Sequence, residues 1–495
     1  MKKRSSLYFC GVLSAVFLVC TVIGSCGKNF YFAGRTLPPS GVINRVLVAE
    51  QYPSGTAEGA LPFMDAFYDI RHPYNASGGQ LLISGYSGKL PLDIQNMPEE
   101  QGGAVYNSGD GSLSLISYAS EKVSASVTNP GSLSANTEGS PYNDIFISRD
   151  FGYVYAGNPA SHVISVTNRD KGAALTLNLA NAYGVSVNAG GTVALVFIED
   201  ATQAPNQTVN VATPNSFAVY SIVQLNATQQ AAAINNPNFM GAQDCEPQKL
   251  PTWCVFPVST GPSASFDHPI KAIFSPDGST AYVVNCGPEC GGTTAGLTTI
   301  PITAASLNTG SYGASGIALV AQSNIAIPNG STNALFSGNT LYVTGQQMQS
   351  SGLYEGFLTV LNTPANTITG TYSISDGTHN RMVLADDDTL WIGSSHCNNG
   401  VRYAQSQAGA DIQFGCMTMF NTSTNTVTVG PYQGDGTGIA AVTGLHKVYT
   451  TEGGQIYIYK TTDMSALDNS NVTIAGTAID CAYMDAATDG DNTDY

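Results

Sequence analysis

Two cysteines in the stretch V-N-C-G-P-E-C-G-G-T, residues 284–293, have a spacing that could support chemistry. Cys286 and Cys290 flank a Gly-Pro-Glu turn, so they could hold a metal, exchange thiols or form a disulfide. A zinc site needs four ligands, yet the sequence has no C-x-x-C and only one His–Cys neighbour, His396-Cys397. Thiol redox centres favour C-x-x-C at a helix N-terminus. A disulfide is therefore predicted, with metal binding and redox chemistry as the alternatives.

The first 26 residues carry the features of an export signal. A basic start, M-K-K-R, precedes an apolar run at 7–24 and small residues. Ile23-Gly24-Ser25-Cys26 resembles the bacterial lipobox, which predicts a signal peptide at 1–25 and lipidation of Cys26. A retained apolar helix or an ordinary signal peptide is the alternative. Gly27, in place of Asp, favours the outer membrane of the cell envelope, on either its periplasmic or its surface face.

Charge excludes some partners. Removal of residues 1–25 takes away three basic residues and no acid, leaving 15 basic against 35 acidic residues. Such a field repels nucleic acid and anionic lipid head groups. We therefore predict no nucleic-acid binding, and membrane contact only through the lipid anchor. Charged residues are only 11% of the chain and glycines number 53, which is typical of a secreted β-rich protein with many turns.

A strand–turn–strand theme recurs along the chain. Its clearest copy is P-I-K-A-I-F-S-P-D-G-S-T-A-Y-V-V-N-C-G at 269–287, where Ser275-Pro276-Asp277-Gly278 predicts a β-turn. Weaker copies lie at 143–166, 333–361, 380–393 with 417–429, and 436–460. Sustained helical periodicity is missing from the mature sequence. Four-stranded units at a period of roughly 40–60 residues indicate the blades of a β-propeller.

The segment S-P-D-G-S-T-A-Y-V-V-N closely resembles the YVTN-type β-propeller repeat of bacterial surface and periplasmic proteins. The resemblance implies an all-β fold, a single propeller of four-stranded blades. Eight strand pairs in the sequence predict about eight blades, and seven, the common number in the family it resembles, is the alternative. Second strands are predicted near Val46, Val105, Val154, Leu195, Tyr282, Tyr342, Trp391 and Val448. The last strand, 477–485, is predicted to close the ring against the N-terminal blade. Relatives of this shape include lactonases and quinoprotein dehydrogenases, so the fold selects no chemistry.

The predicted organisation has four parts. A lipidated tether at 26–41 follows the signal peptide, and the propeller spans 42–485. An Asn/Gln/Pro-rich stretch at about 226–264 is predicted to be a long loop insertion. The acidic segment 486–495 is predicted to be a disordered tail, because it lacks the Glu that closes an EF-hand calcium loop. Asp386-Asp387-Asp388 is predicted to be a solvated hairpin turn.

The remaining cysteines after Cys26 also suggest disulfides. An oxidising envelope makes disulfides the default, and proximity predicts the pairs Cys245–Cys254, Cys286–Cys290 and Cys397–Cys416. Cys481 is then left free. Each bridge would stabilise the fold by about 2–4 kcal/mol.

Loops that lead into the innermost strands of a propeller line the mouth of its central channel. The polar residues expected there are Tyr142, Asp144, Asp267, His268, His379, Arg381, Asp435 and Asp480. Asp with His can perform acid–base catalysis, and Arg can hold a carboxylate. The alternative is that these side chains hydrogen-bond neighbouring blades or channel water. A catalytic site would bring His268, His379 and Arg381 within about 10 Å of one another, allowing for a substrate.

The leading prediction is a non-enzymatic, envelope-tethered monomer that binds an unknown protein, glycan or small ligand. No G-x-S-x-G, Walker or dinucleotide motif stands on a strand–turn–helix, and no cofactor or metal is predicted. The alternative is an extracytoplasmic propeller enzyme, a lactonase-like hydrolase or an oxidoreductase, with its site at the channel mouth. A purely structural envelope protein is a third possibility.

Overall fold

The computed structural model describes residues 37–52, 58–71, 81–127, 145–147, 153–158, 163–168, 173–177, 182–189, 191–199, 216–224, 244–245, 253–302 and 319–488. Within these ranges the chain is nearly all β-strand. The strands are β1 Arg45–Gln51, β2 Gly59–Ala60, β3 Phe63–Asp65, β4 Pro91–Met97, β5 Gly102–Asn107, β6 Ser112–Ser117, β7 Lys122–Val127, β8 Ile145–Ile147, β9 Tyr153–Asn158, β10 Val163–Asn168, β11 Ala173–Leu177, β12 Ala182–Val187, β13 Val193–Glu199, β14 Phe217–Gln224, β15 Asp244–Cys245, β16 Trp253–Pro257, β17 Ser259–Ser263, β18 Pro269–Phe274, β19 Thr280–Asn285, β20 Gly296–Pro301, β21 Val320–Ala326, β22 Asn333–Ser337, β23 Thr340–Met348, β24 Tyr354–Asn362, β25 Thr367–Ser373, β26 Thr378–Ala385, β27 Thr389–Ser395, β28 Met417–Asn421, β29 Thr426–Val429, β30 Gly436–Val442, β31 Lys447–Glu452, β32 Gln455–Lys460, β33 Ala466–Val472 and β34 Thr477–Tyr483. One α-helix, α1 Val401–Gln407, and two 3-10 turns, Gly287–Cys290 and Cys397–Asn399, complete the described elements.

The described strands form eight sheets. Five sheets run through four successive strands: β4 to β7, β8 to β11, β22 to β25, β26 to β29 and β30 to β33. Two have a fifth strand, in the orders β12-β13-β14-β16-β15 and β18-β19-β20-β21-β17. The eighth pairs β1 with β34 on one side and with β2 and β3 on the other. Neighbouring strands are antiparallel except β17 and β21, which are parallel.

Contacts between first strands, together with burial, place these strands on the inside of a ring. Second strands such as β13 are buried along nearly their whole length, whereas fourth strands such as β25 and β7 are largely exposed. First strands of adjacent sheets touch: Ile94 N in β4 donates to Asp480 Oδ2 in β34 at 2.8 Å. Ala272 N in β18 likewise donates to Ser186 Oγ in β12 at 2.9 Å. The chain is a β-propeller.

The hydrophobic core lies as separate wedges between adjacent sheets. Apolar residues therefore occupy both faces of second strands such as β13, since both of their faces are covered. Trp391 of β27 is fully buried and packs against Tyr459 of the next sheet, with ring centroids 5.9 Å apart. Its Nε1 donates to Thr389 Oγ1 at 3.1 Å. Burying one such large side chain stabilises the fold by roughly 1.5–3 kcal/mol.

The two ends of the propeller close the ring, as predicted. β34 pairs antiparallel with β1, and Val46 lies opposite Tyr483. A buried ion cluster holds the junction: Arg45 Nη2 lies 2.6 Å from Asp485 Oδ1, and Arg45 Nη1 lies 3.0 Å from Glu121 Oε1. Closure pairs the edge strands of the N- and C-terminal segments and so removes two sites for intermolecular pairing.

The predicted turn at Ser275 to Gly278 is confirmed. Gly278 N donates to Ser275 O at 2.8 Å, and Gly278 has φ +67°, a backbone region that favours glycine. Asp277 Oδ1 accepts from Ser275 Oγ at 2.6 Å and from Ser279 N at 3.0 Å. These hydrogen bonds lower the pKa of Asp277 to about 2.

Residues 226–264 differ from the predicted loop insertion, because they contain β15, β16 and β17. β16, the apolar W-C-V-F-P, pairs with β14 as the fourth strand of its sheet. The number of blades stays a prediction, because segments such as 128–144 lie outside the described residues. The signal peptide, Cys26 and most of the tether and tail also lie outside them. Within the described ranges, no helix is long and apolar enough to span a membrane.

Candidate functional site

One face of the ring collects two kinds of loop. Because the strands of each sheet alternate in direction, the connection from second to third strand lies beside the chain that leads into the first strand. We call this the upper face, and the face with the first-to-second turns the lower face. Asp267, just before β18, shows the proximity: its Oδ2 accepts from Thr293 N at 2.8 Å and Thr294 N at 2.7 Å, in the β19–β20 connection.

Two disulfides pin upper-face connections, at the spacings that predicted them. Cys286–Cys290 closes the turn after β19, and Cys397–Cys416 spans the β27–β28 connection. Glu289, inside the first turn, accepts from Gln346 Nε2 at 2.8 Å and from Gln346 N at 3.1 Å in the next sheet. Burial raises the pKa of Glu289. The first turn therefore acts as a clamp between neighbouring sheets.

The other predicted cysteine assignments concern a third pair and a free thiol. The backbone places Cys245 in β15 opposite Cys254 in β16, but their side chains lie outside the described residues. Cys481 in β34 is a free, buried thiol. Its Sγ lies 3.6 Å from Tyr449 O. Burial raises the pKa of Cys481 well above its usual value, and the neighbouring Asp480 adds to the effect.

Six of the inner strands carry a bulge at their upper end that sets which residue faces the channel. The pairing register shifts in β4, β12, β18, β26, β30 and β34. The residues just after these shifts are Asp93, Gly184, Lys271, Arg381, Gly438 and Asp480. A bulge reverses the side to which the following side chains point. These positions form a charged and glycine-containing layer at the centre.

Arg381 joins several members of this layer. Its Nη2 lies 2.7 Å from Asp93 Oδ1 and 3.3 Å from Asp480 Oδ2, and its Nε donates to Thr437 O at 3.0 Å. Arg381 thus reaches from β26 past β30 to β34 and β4. Gly438 permits the approach, since a Cβ there would lie 2.6 Å from Asp480 Oδ1. The two carboxylates more than offset the charge of Arg381, and the cluster ties four sheets together.

His379 does not join Arg381 at the channel. The bulge between the two residues turns His379 into the protein, where it is 1% exposed and its Nε2 lies 2.9 Å from Ser375 O. Burial lowers the pKa of His379 to about 4. The histidine is therefore neutral at physiological pH and shielded from any substrate in the channel.

Asp267 and His268 form a pair at the upper face. His268 Nδ1 lies 2.7 Å from Asp267 Oδ1, and both side chains are about one-fifth exposed. The His268 ring packs on Phe217, with centroids 4.1 Å apart. Burial tends to raise the pKa of Asp267, but hydrogen bonds from His268 and the Thr293–Thr294 segment hold it below its usual value. Among the predicted residues that the structure describes, this pair has the contacts of an acid–base dyad.

Two further carboxylates fasten upper-face loops. Asp435 Oδ1 accepts from His396 N at 2.7 Å. Asp376, which the sequence did not single out, accepts at Oδ2 from Arg402 N at 2.6 Å. Arg402 Nε in turn donates to Ile374 O at 2.7 Å. Tyr142 and Asp144, predicted at the channel mouth, lie outside the described residues.

The three residues proposed for catalysis take part in separate clusters. His268 contacts Asp267, His379 contacts the Ser375 carbonyl, and Arg381 contacts Asp93 and Asp480. None of these named partners is shared. Asp93 was not among the predicted channel residues. Its position pointed to the channel, because it lies on the strand that precedes the predicted second strand near Val105 and so on an innermost strand.

An aromatic group also lies on the upper face and was not predicted. Phe414 stacks on Tyr432, with centroids 5.4 Å apart and planes 22° apart. Tyr403 in α1 meets Phe414 edge-on at 5.3 Å. Tyr432 is 41% exposed. We call Tyr403, Phe414 and Tyr432 the aromatic platform.

The lower face holds the triple-aspartate turn. Asp386 Oδ2 accepts from Gly444 N at 2.7 Å, and Asp387 Oδ2 lies 3.0 Å from His446 Nδ1. The turn therefore bonds the next sheet in addition to facing solvent. Among the described residues, no group of three or more His, Cys, Asp or Glu side chains is arranged to hold a metal ion.

Comparisons with known proteins found similar solved structures but no similar sequence. No family model matches the sequence, and no curated protein resembles it significantly. Dihydro-heme d1 dehydrogenase NirN, solved in complex with DHE, aligns with a TM-score of 0.52 at 11% identity, over 88% of this chain and 74% of that one. Apo AztD from Citrobacter koseri aligns at 0.44 and 12% identity, over 89% and 97%. A putative 6-phosphogluconolactonase from Bacteroides uniformis aligns at 0.40 and 12% identity, over 89% and 99%.

These similarities concern architecture. At such identities a common fold does not carry a common activity, and only the NirN alignment is close enough to support an argument about the fold. It supports the propeller already evident from the sheets. The function must come from the upper face and the channel.

Proposed function

We propose that this protein is a binding module: a β-propeller of the YVTN type, tethered to the cell envelope through Cys26, that presents its upper face to a ligand. The observation that carries the proposal is the pinned upper face. Two disulfide-closed connections, at Cys286–Cys290 and Cys397–Cys416, lie on this face. Loops fixed before binding lose little conformational entropy when a ligand arrives.

The contacts of the channel residues favour binding over catalysis. Arg381 is already neutralised by Asp93 and Asp480, so it holds the ring together and is not poised to receive a carboxylate. His379 is buried and neutral. These contacts support a structural role for Arg381 and His379 over a catalytic one.

A second function rests on Asp267 and His268. Because Nδ1 of His268 faces the Asp267 carboxylate at 2.7 Å, the other ring nitrogen is left as the proton acceptor of a general base. This geometry suits a hydrolase, such as a lactonase-like enzyme, or an oxidoreductase that removes a proton. We rank it below binding, because the named partners of Asp267 also secure the β19–β20 connection.

The two functions separate in one experiment. The full chain, purified from an oxidising envelope, is screened by thermal shift against glycans, small ligands and peptides, and by turnover assays against lactones and sugar alcohols. A ligand that binds only the folded state stabilises it by RT ln(1 + [L]/Kd), so a binder raises the unfolding temperature. Stabilisation without turnover is expected. Turnover of a substrate with no binder in the screen would overturn the binding module.

A matched pair of variants identifies the site if turnover occurs. His268→Asn removes the dyad on the upper face, and His446→Asn removes a similar histidine on the lower face. Both histidines have positive φ, +54° and +53°, a conformation that Asn tolerates. An enzyme of the second kind loses turnover only with His268→Asn. Palmitate labelling that disappears in Cys26→Ser tests the tether separately.

A further inference from the structure

We infer that the aromatic platform binds the flat face of a neutral sugar ring, so that the ligand of this propeller is an uncharged glycan. The inference rests on the proposed binding function and deepens it. It is carried by the arrangement of Tyr403, Phe414 and Tyr432 at the upper face.

The platform is composed of three separate chain segments. Tyr403 belongs to α1, Phe414 to the segment after it, and Tyr432 to the chain that leads into β30. It therefore lies across the boundary between two neighbouring sheets. Such boundaries are common places for ligand sites, because side chains from several elements converge there.

The platform is held rigid from below. The Cys397–Cys416 disulfide encloses both Tyr403 and Phe414. Arg402, next to Tyr403, donates from its backbone N to Asp376 and from its Nε to Ile374 O. A Tyr or Phe ring has only two side-chain torsions, so a pinned ring offers a large contact area at low entropic cost.

Packing of the core does not account for these rings. Among the described residues, the hydrophobic clusters between sheets do not include any of the three platform residues. Tyr432 is 41% exposed although its ring is stacked on Phe414. Aromatic rings held apart from the core are among the side chains that line ligand sites.

The shape of the platform favours a sugar over a cation. A cage for a quaternary ammonium group needs rings that surround the charge. Here Phe414 stacks against one face of Tyr432, 22° from parallel, so the opposite face of the Tyr432 ring is the flat apolar surface available to a ligand. The axial C–H groups on one face of a pyranose match such a surface, and its hydroxyls then point to the rim. Exposed Asp411 and Gln413 precede Phe414 in the chain and supply hydrogen-bonding groups there.

The charge of the protein selects among sugars. The net charge is −17, and Asp411 and Asp435 lie in the same upper-face loops. A uronate, sulfated or sialylated chain would be repelled by this field. An uncharged hexose or N-acetylhexosamine polymer keeps the stacking and hydroxyl contacts without that penalty.

Titration calorimetry with defined oligosaccharides tests the inference on the full chain. The probes are cellohexaose, maltohexaose, mannohexaose and chitohexaose, with the anionic hexamer of galacturonate as comparison. We expect at least one neutral probe to bind in the millimolar range or tighter, and no binding of the anionic hexamer. Tyr432→Ala should weaken the neutral probe by about tenfold, because it removes one face of aromatic contact.

A matched control is available on the lower face. Tyr68 is 45% exposed and packs edge-on against Phe67 at 4.9 Å, so it is a similarly open aromatic residue far from the platform. Tyr68→Ala should leave the affinity unchanged, and Tyr432→Phe should keep it, since both retain the stacked ring surface. Circular dichroism confirms that each variant is folded.

Several outcomes would overturn the inference while leaving the binding module intact. One is that the protein binds a peptide or small ligand in the broad screen but none of the neutral oligosaccharides. Another is that Tyr432→Ala binds a neutral probe as well as the wild type does. Preference for the galacturonate hexamer would also count against it. Failure of every ligand in both experiments, with substrate turnover, would instead remove the proposed function itself.

Discussion

Glu452, at the end of β31, should make the stability of this protein depend on pH. The side chain is fully buried, and its Oε1 accepts from Thr450 Oγ1 at 2.6 Å. Burial raises the pKa of Glu452 from 4.5 to about 7, although the hydrogen bond from Thr450 opposes the change. The native protein therefore holds this proton over a pH range in which the unfolded chain has released it.

The sign and size of the effect follow from proton linkage. Below pH 4.5 the carboxyl is protonated in both states, and its full contribution to stability is present. As pH rises towards about 7, the native state binds more protons than the unfolded state, so the free energy of unfolding falls. At 1.36 kcal/mol for each pKa unit, the total loss is about 3 kcal/mol.

The test compares wild type with Glu452→Gln, which keeps an acceptor for Thr450 but cannot ionise. Urea unfolding, followed by tryptophan fluorescence, is measured near pH 5 and pH 8. We expect the variant to gain about 2–3 kcal/mol relative to wild type between these conditions. Glu100→Gln, at an exposed carboxyl, is the control. If Glu452→Gln and wild type lose stability equally as pH rises, the assignment of a raised pKa to this carboxyl is wrong.

Three more predictions concern covalent and ionic contacts. Replacing Cys397 and Cys416 together with Ser should lower the free energy of unfolding by about 2–4 kcal/mol in urea titrations, and an unchanged midpoint would contradict a stabilising bridge. Arg45→Met should lower the free energy of unfolding by about 3–5 kcal/mol, because it leaves the Asp485 carboxylate buried without its partner. A decrease no larger than that of Lys460→Met, at the surface, would refute this. Cys481 should react with a thiol reagent only after unfolding, since its thiol is buried and the pKa is raised; rapid labelling of the native protein, absent in Cys481→Ala, would show an accessible thiol.

The strands were predictable because their signals are local. β19, T-A-Y-V-V-N, is a compact apolar run that follows a turn with Pro and Gly in suitable positions. The closing role of β34 was also predictable, because 477–485 has strand character and no later strand to pair with. In contrast, the Asn, Gln and Pro residues around β16 predict a loop. The short apolar strand of five residues is too weak a signal to change that prediction.

The channel could not be predicted from the same signals. His379 and Arg381 are two positions apart on one strand, and regular pairing would put them on the same face. The bulge between them directs the histidine into the protein and the arginine into the channel. The sequence T-H-N-R-M contains no signal that predicts this bulge. Arg381 also meets Asp93 across 288 positions of sequence, a contact that depends on the order of sheets round the ring.

The aromatic platform shows a similar limit. Tyr403, Phe414 and Tyr432 are spread over 30 residues, and no periodicity connects them. Their proximity depends on the Cys397–Cys416 disulfide and on the backbone contacts of Arg402. Two cysteines bracketing a loop were visible in the sequence, but the surface that the loop presents was not.

The pairing of β1 with β34 also delays closure of the ring until the end of the chain has been synthesised. Arg45 and Asp485 are separated by 440 positions, and at 5–20 residues per second the ribosome needs about 20–90 s to supply the second after the first. Throughout that interval β1 has one edge without its partner and can pair with a β34 from another copy. A swapped dimer, in which each C-terminal strand completes the neighbour's ring, would contain the same hydrogen bonds as the monomer. Crowding of nascent chains is therefore a condition that favours misassembly of this protein by strand exchange.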